Sequence, residues 1–132
     1  MKIKQTIGID ISKLTFDVRI HSNQAYKVFE NTKKGFSQLL KWAKQNNTFK
    51  TENTLYILEH TGIYSEQIST FFNDNDIPFA LIPGLEIKKS LGIARGKDDK
   101  VDATKIALYG YRLRDEITPY VMPSKNISQI KR

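Results

Sequence analysis

The amino-terminal segment IKQTIGIDIS constrains the fold more than any other part of the chain. In it, Ile7, Ile9 and Ile11 alternate with Gly8 and Asp10, and a period of two is typical of a β-strand with one buried face. Two more strand-like segments, LTFDVRI and AYKVFEN, follow without an intervening helix and are joined by the turn-prone sequence HSNQ. The sequence therefore predicts a three-stranded antiparallel meander at the amino terminus.

The remainder of the chain alternates between helical and strand patterns. A first helix is expected after the N-cap Thr32, and the apolar run LYILE predicts a buried strand that ends at Glu59. A second helix, the strand IPFALIP and the helical segment GLEIKKSLGIA follow, and a last helix is expected from near Asp99 to before Pro119. This order, βββαβαβα plus a last helix, predicts an α/β fold in one domain, with a mixed sheet and helices on both faces.

Two of the predicted strands end in or near a carboxylate. Ligands of such sheets gather at the carboxyl ends of central strands, so Asp10 and Glu59 would meet there if their strands are neighbours. A buried carboxylate is costly without a cation or hydrogen bonds, which favours a metal beside Asp10. The alternatives are that Asp10 lies beyond the strand and caps a turn, and that Glu59 is a solvated strand terminus.

A third group of acids lies in the segment GKDDKVDATKIA. A spacing of three would place Asp99 and Asp102 on one face of the last helix, within reach of a shared ion. The competing interpretation is an approximate capping box, with Asp99 as N-cap and Asp102 at the third helical position. Taken together, the acids at 10, 59, 99 and 102 suit two divalent cations about 4 Å apart, an arrangement that supports phosphodiester chemistry.

The chain is basic, with a formal charge of +7 and a pI near 9.6, and its charge is unevenly distributed. Residues 51–83 carry 5 acids and no Lys or Arg, whereas the segments on either side are rich in lysine. A basic balance favours a polyanionic partner such as nucleic acid, although a solvated lysine-rich surface gives the same composition. The cations nearest the acids, Lys13, Arg95, Lys97 and Lys100, are the candidate phosphate-binding residues.

The composition also excludes several classes of protein. Without cysteine there is no disulfide framework, thiol nucleophile or cysteine-based metal site. No segment has the length and apolarity of a signal peptide core or of a membrane span, so we expect a soluble, cytoplasmic protein.

Three motifs, GIDISK, LEHTGIY and GKDDKVDATKIALYG, in this order and at this separation, resemble the N-terminal domain of the DEDD transposases of the IS110 family, which includes the pilin-gene-inverting recombinases. The resemblance covers about residues 5 to 123. The third motif of that family usually reads Lys-Thr-Asp-x-x-Asp-Ala. Here Asp98 takes the place of the threonine, so Asp99 and Asp102 match the two acids of the family.

The resemblance implies a RuvC-like, ribonuclease H-type fold that acts in metal-dependent DNA strand cleavage and exchange. It implies that Asp10, Glu59, Asp99 and Asp102 bind two Mg²⁺ ions, for which Mn²⁺ can substitute. The implied partners are DNA, a guide RNA transcribed from the element and further copies of the full-length protein. Residues 1–123 would be the catalytic domain, and residues 124–132 the start of a helix toward a C-terminal domain with a serine nucleophile.

Other functions remain open on the sequence. A stand-alone junction resolvase or ribonuclease H-like nuclease would share the acids and act without a second domain. A noncatalytic nucleic-acid-binding module would use the acids only as helix caps. The segment GIDIS also resembles a phosphate motif of sugar kinases and actin-like ATPases, but the glycine-rich phosphate turns and the second lobe of those proteins are missing from the sequence.

Overall fold

The fold is a mixed β-sheet with helices on both faces, seen in a computed structural model that describes residues 2–60, 62–92 and 101–120. The strands are β1 (Gln5–Ile11), β2 (Thr15–Ile20), β3 (Tyr26–Glu30), β4 (Thr54–Glu59) and β5 (Phe79–Ile82). The helices are α1 (Lys33–Asn46), α2 (Glu66–Asp74), α3 (Gly84–Ser90) and α4 (Ala103–Arg112). Among these described helices, none combines the length and the apolar character needed to cross a bilayer.

The strands are arranged in the order β3-β2-β1-β4-β5. The pairs β3–β2 and β2–β1 are antiparallel, whereas β1–β4 and β4–β5 are parallel. This confirms the predicted mixed sheet, with the meander as its antiparallel half. It also makes β1 and β4 direct neighbours, which is the condition under which Asp10 and Glu59 can meet.

One face of the sheet packs against α1 and α2. The alternating pattern of β1 directs Ile7, Ile9 and Ile11 to this face, where each is at most 4% exposed. Burying an aliphatic side chain of this size contributes about 1.5–3 kcal/mol. A shift of one residue would turn all three isoleucines to the other face, so their burial fixes the register of β1. The hydroxyl of Thr32 accepts a hydrogen bond from the Gly35 amide at 3.2 Å, as expected for the N-cap of α1.

The other face is covered by α3 and α4, and α4 lies directly on β1. A Cβ atom on Gly8 would overlap the carbonyl oxygen of Ala103 and the amide nitrogen of Ala107, so only glycine allows this approach. The buried hydroxyl of Thr6 also donates to the Ala107 carbonyl at 2.8 Å. Because the contacts move from Ala107 toward Ala103 as β1 proceeds, α4 runs antiparallel to β1 and begins near its carboxyl end.

Two helix boundaries differ from the prediction. Helix α3 ends at Ser90, before the predicted end at Ala94, because the chain turns at Gly92, whose φ of +72° is the left-handed conformation that ends helices. Helix α4 begins at Ala103, with Asp102 as its N-cap, and not near Asp99 as predicted. The predicted linker helix at 124–132 lies outside the described residues.

Candidate active site

Two of the predicted acids lie side by side at the carboxyl ends of β1 and β4. The parallel register pairs Ile9 with Leu58, and the next step brings Asp10 alongside Glu59. Neighbouring strands are about 4.8 Å apart, and both residues belong to the alternating set that faces α4. Asp10 is half-buried inside β1, so the interpretation of Asp10 as a turn cap beyond the strand is wrong. Residues that are 49 positions apart in sequence thus share one small region of the surface.

Glu59 is packed against the start of α3. It is half-buried as the last residue of β4, and its Oε2 atom lies so close to Gly84 that a Cβ atom there would overlap it. A fully solvated strand terminus would have no such neighbour. The glycine at the first position of α3 therefore leaves the room in which the Glu59 carboxylate sits.

Asp102 is the N-cap of α4. Its backbone is extended, and its Oδ1 atom accepts the Lys105 amide hydrogen at 2.9 Å. The predicted capping box, with Asp99 as the cap, is wrong because the helix starts after Asp102. Since α4 begins near the carboxyl end of β1, the exposed side chain of Asp102 lies at the same end of the sheet as Asp10.

The remaining predicted site residues are only partly described. Lys13 is exposed in the turn between β1 and β2, at the same end of the sheet as Asp10. Asp99, Arg95, Lys97 and Lys100 lie outside the described residues.

A further acid, Asp17, adjoins the predicted ones. It is the register partner of Asp10 on β2, so Asp17, Asp10 and Glu59 form an acidic row across three neighbouring strands. The Tyr26 hydroxyl donates to its Oδ2 atom at 2.6 Å. The segment LTFDVRI contains the signal that sequence reasoning missed, because the same period of two that exposes Asp10 directs Asp17 to the same face.

The electrostatics of Tyr26 reflect this acidic row. The hydrogen bond to Asp17 is the largest cause that raises the pKa of the Tyr26 phenol, followed by its partial burial and the charges of Asp17 and Asp10. The guanidinium of Arg19, whose Cζ lies 4.6 Å from the ring centroid, lowers that pKa in part. Carboxylates crowded in this way repel one another, and a bound cation relieves the repulsion.

The row has the donor atoms that a hard divalent cation prefers, since Mg²⁺ binds carboxylate oxygens. The described residues do not by themselves complete a site, because no group of three or more Asp, Glu, His or Cys side chains among them converges on one point. The Oδ1 atom of Asp102 is engaged at the start of α4, and Asp99 is not among the described residues. The ligand chemistry therefore fits, while the coordination shell is incomplete in the described part of the chain.

A cavity lies on the opposite face of the sheet from the acidic row. It has a volume of about 730 Å³ and lies between α1 and α2, with Phe36 and Phe71 among its lining residues. It contains none of the acids discussed above. The carboxylates that could bind a divalent cation lie in the acidic row, so the acidic row is the better candidate for the active site.

Comparisons with known proteins identify the family and the fold. The sequence profile of the DEDD transposases of the IS110 type, described as a transposase, matches residues 7–132. No curated protein matches the sequence significantly. Among solved structures, T. thermophilus RuvC in complex with a Holliday junction substrate has a TM-score of 0.59 and 9% sequence identity, covering 90% of this chain and 100% of that chain. The fold is therefore RuvC-like, of the ribonuclease H type, as predicted.

Proposed function

Because the chain belongs to the DEDD transposase family of IS110 elements, we propose that it is a catalytic domain that cleaves and exchanges DNA strands, with Asp10, Glu59, Asp99 and Asp102 as its metal-binding acids. The observation that carries this proposal is the pairing of Asp10 with Glu59 at neighbouring parallel strand ends, beneath the start of α4. The alternative of a noncatalytic module leaves this concentration of negative charge on a basic protein without a purpose.

The acids would hold two Mg²⁺ ions, with Mn²⁺ as a substitute. Such ions, when bound, activate the attacking oxygen and stabilise the leaving oxygen of a phosphodiester. In this role Asp10 and Glu59 would contribute ligand oxygens from the sheet, whereas Asp102 would contribute from the N-cap position of α4. Asp99, three residues before Asp102, would supply the fourth carboxylate.

The paired substitutions Asp102→Asn and Asp102→Ala separate metal binding from capping. Asparagine caps a helix as well as aspartate, so Asp102→Asn is expected to keep the free energy of unfolding while weakening Mn²⁺ binding at least tenfold. Asp102→Ala is expected to weaken Mn²⁺ binding similarly and also to lose about 1 kcal/mol of stability with the cap. Calorimetric titration with Mn²⁺ and urea unfolding measure the two effects.

Thermal unfolding with and without Mn²⁺ provides the wider test of the proposal. A ligand that binds only the folded state raises the melting temperature, so Mn²⁺ is expected to stabilise the wild-type chain. If neither the melting temperature nor the calorimetric signal responds to Mn²⁺ or Mg²⁺, the acids act only as structural residues and the noncatalytic alternative is favoured.

Lys13, Arg95, Lys97 and Lys100 are proposed to contact DNA phosphates. The Lys13→Ala substitution removes one exposed cation beside the acids, so it is expected to weaken DNA binding and to reduce the slope of log affinity against log salt concentration by about 1. The control is Lys33→Ala, at the start of α1 on the other face of the sheet. If log affinity falls with log salt concentration equally steeply for the Lys13 variant and the wild type, Lys13 does not contact a DNA phosphate.

The wider assembly follows from the family and is proposed on that basis. Residues 1–123 would form the catalytic domain, and residues 124–132 would lead to a further domain with a serine nucleophile. A guide RNA from the element and further copies of the protein would complete the recombinase. The other candidate is a RuvC-like nuclease that acts alone, and cleavage of four-way DNA junctions by this chain with Mg²⁺ would favour it.

A further inference from the structure

The side chain of Arg19 links the middle of the sheet to the first turn of α4. Its Nε–H donates to the Thr104 hydroxyl at 3.0 Å, and its Nη1 donates to the Gln24 carbonyl at 2.7 Å. Its guanidinium also lies over the ring of Tyr26, whose hydroxyl donates to Asp17. Three contacts thus hold the Arg19 side chain, and one of them, the hydrogen bond from its Nε–H to Thr104, is made to α4.

The position of Arg19 makes this contact geometrically specific. Arg19 is the register partner of Gly8, the residue on which α4 rests. Gly8 sets how closely the helix approaches β1, and the bond to Thr104 restrains the helix from the side, where β2 lies. Since the planar guanidinium presents its donors in a rigid fork, a lysine cannot reproduce this restraint.

Thr104 is two residues beyond Asp102, in the same helical turn. If the first turn of α4 rotates about the helix axis, the N-cap residue Asp102 moves with it. For metal ligands, a misplacement of less than an ångström is enough to lose affinity, and the groups that orient them commonly account for 10–100-fold in binding.

We propose that Arg19 is a positioning residue of the active site, which through its hydrogen bond to Thr104 fixes the first turn of α4, and with it Asp102, over the carboxyl end of β1. The inference rests on the proposed function, because it assigns Arg19 a purpose in the metal-binding arrangement. It adds a residue that is neither an acid nor a phosphate contact.

The test uses Thr104→Val, because this substitution removes the acceptor of the hydrogen bond while it keeps both the shape of the side chain and the charge of Arg19. We expect it to raise the dissociation constant for Mn²⁺ about tenfold in calorimetric titration. Thr104→Ser, which keeps the hydroxyl, is expected to restore the wild-type affinity.

The matched control is Thr54→Val at the start of β4, at the other end of the sheet from Glu59. The Thr54 hydroxyl is also hydrogen-bonded, to Asn47 and to the Lys50 carbonyl, and its side chain is fully buried. Its loss is expected to lower the midpoint of urea unfolding by at least as much as Thr104→Val does, with no change in Mn²⁺ affinity.

A double-mutant cycle strengthens the assignment to Arg19. Arg19→Lys keeps the charge and is expected to weaken Mn²⁺ binding to a similar extent as Thr104→Val. Both variants break the same hydrogen bond. The double variant is therefore expected to bind Mn²⁺ no more weakly than whichever single variant has the lower Mn²⁺ affinity.

The outcomes separate the two proposals. If wild-type protein does not bind Mn²⁺, the proposed function fails. If wild-type protein binds Mn²⁺ but Thr104→Val binds it equally well, or if Thr54→Val weakens binding as much as Thr104→Val, the positioning role of Arg19 is overturned and the bond serves only stability.

Discussion

Replacing Asp10 with asparagine is expected to abolish metal-dependent DNA cleavage and to weaken Mn²⁺ binding at least about 100-fold, while the protein remains as stable as the wild type or becomes more stable. Asparagine has the same shape as aspartate and keeps one oxygen, but it lacks the charge that a divalent cation requires. Asp10 lies between Asp17 and Glu59 in the acidic row, and opposed like charges on neighbouring strands are destabilising by up to about 1 kcal/mol. Removing the central charge relieves both repulsions.

The measurements are calorimetric Mn²⁺ titration, cleavage of DNA by the protein as it acts with its partners, and urea unfolding. The matched control is Asp115→Asn, an exposed acid beyond the carboxyl end of α4, which changes the net charge equally and is expected to alter none of the three. A large loss of stability in the Asp10 variant would mean that the carboxylate is a structural element of β1, and this would contradict its role as a metal ligand.

Replacing Gly8 with valine is expected to destabilise the fold by at least about 3 kcal/mol, and for a domain of this size such a loss removes a large part of the total stability. The added atoms would meet the backbone of Ala103 and Ala107, which cannot rotate away as a side chain can. Either α4 lifts from β1 or the strand bends, and in both cases the Thr6 hydrogen bond to Ala107 is broken.

Urea unfolding measures this loss, and Gly110→Ala on the same helix is the comparison. A Cβ atom at Gly110 would overlap side-chain atoms of Ile57, whereas at Gly8 the overlap is with the backbone, and alanine also favours a helix by about 1 kcal/mol over glycine. Its cost is therefore expected to be much smaller than that of Gly8→Val. Similar losses for both variants would show that the close approach at Gly8 is not the feature that holds α4.

The order of strands and helices could be predicted from the sequence because each element carries its own pattern. The alternating isoleucines of β1 and the apolar run of β4 identify buried strands, and the lack of a helix between the first three strands requires an antiparallel meander. The neighbourhood of Asp10 and Glu59 then depended only on the pairing of β1 with β4, which the structure confirms.

The start of α4 could not be placed from local pattern. Asp98, Asp99 and Asp102 are all good N-cap residues, so capping preference alone does not choose between them. The choice is made by packing, since Ala103 must rest on Gly8 for Thr6 to reach Ala107. Asp17 and Arg19 were missed for a related reason: their importance depends on which strand lies beside β1 and which helix lies above it.

The contact between Thr6 and Ala107 joins residues that are 101 positions apart in the chain. A ribosome must therefore have synthesised and released nearly the entire domain before its first strand can receive the helix that carries Asp102. Domains fold as units during synthesis, so a truncated or stalled product ending before that helix would contain Asp10 and Glu59 but neither Asp102 nor the helix that packs on β1.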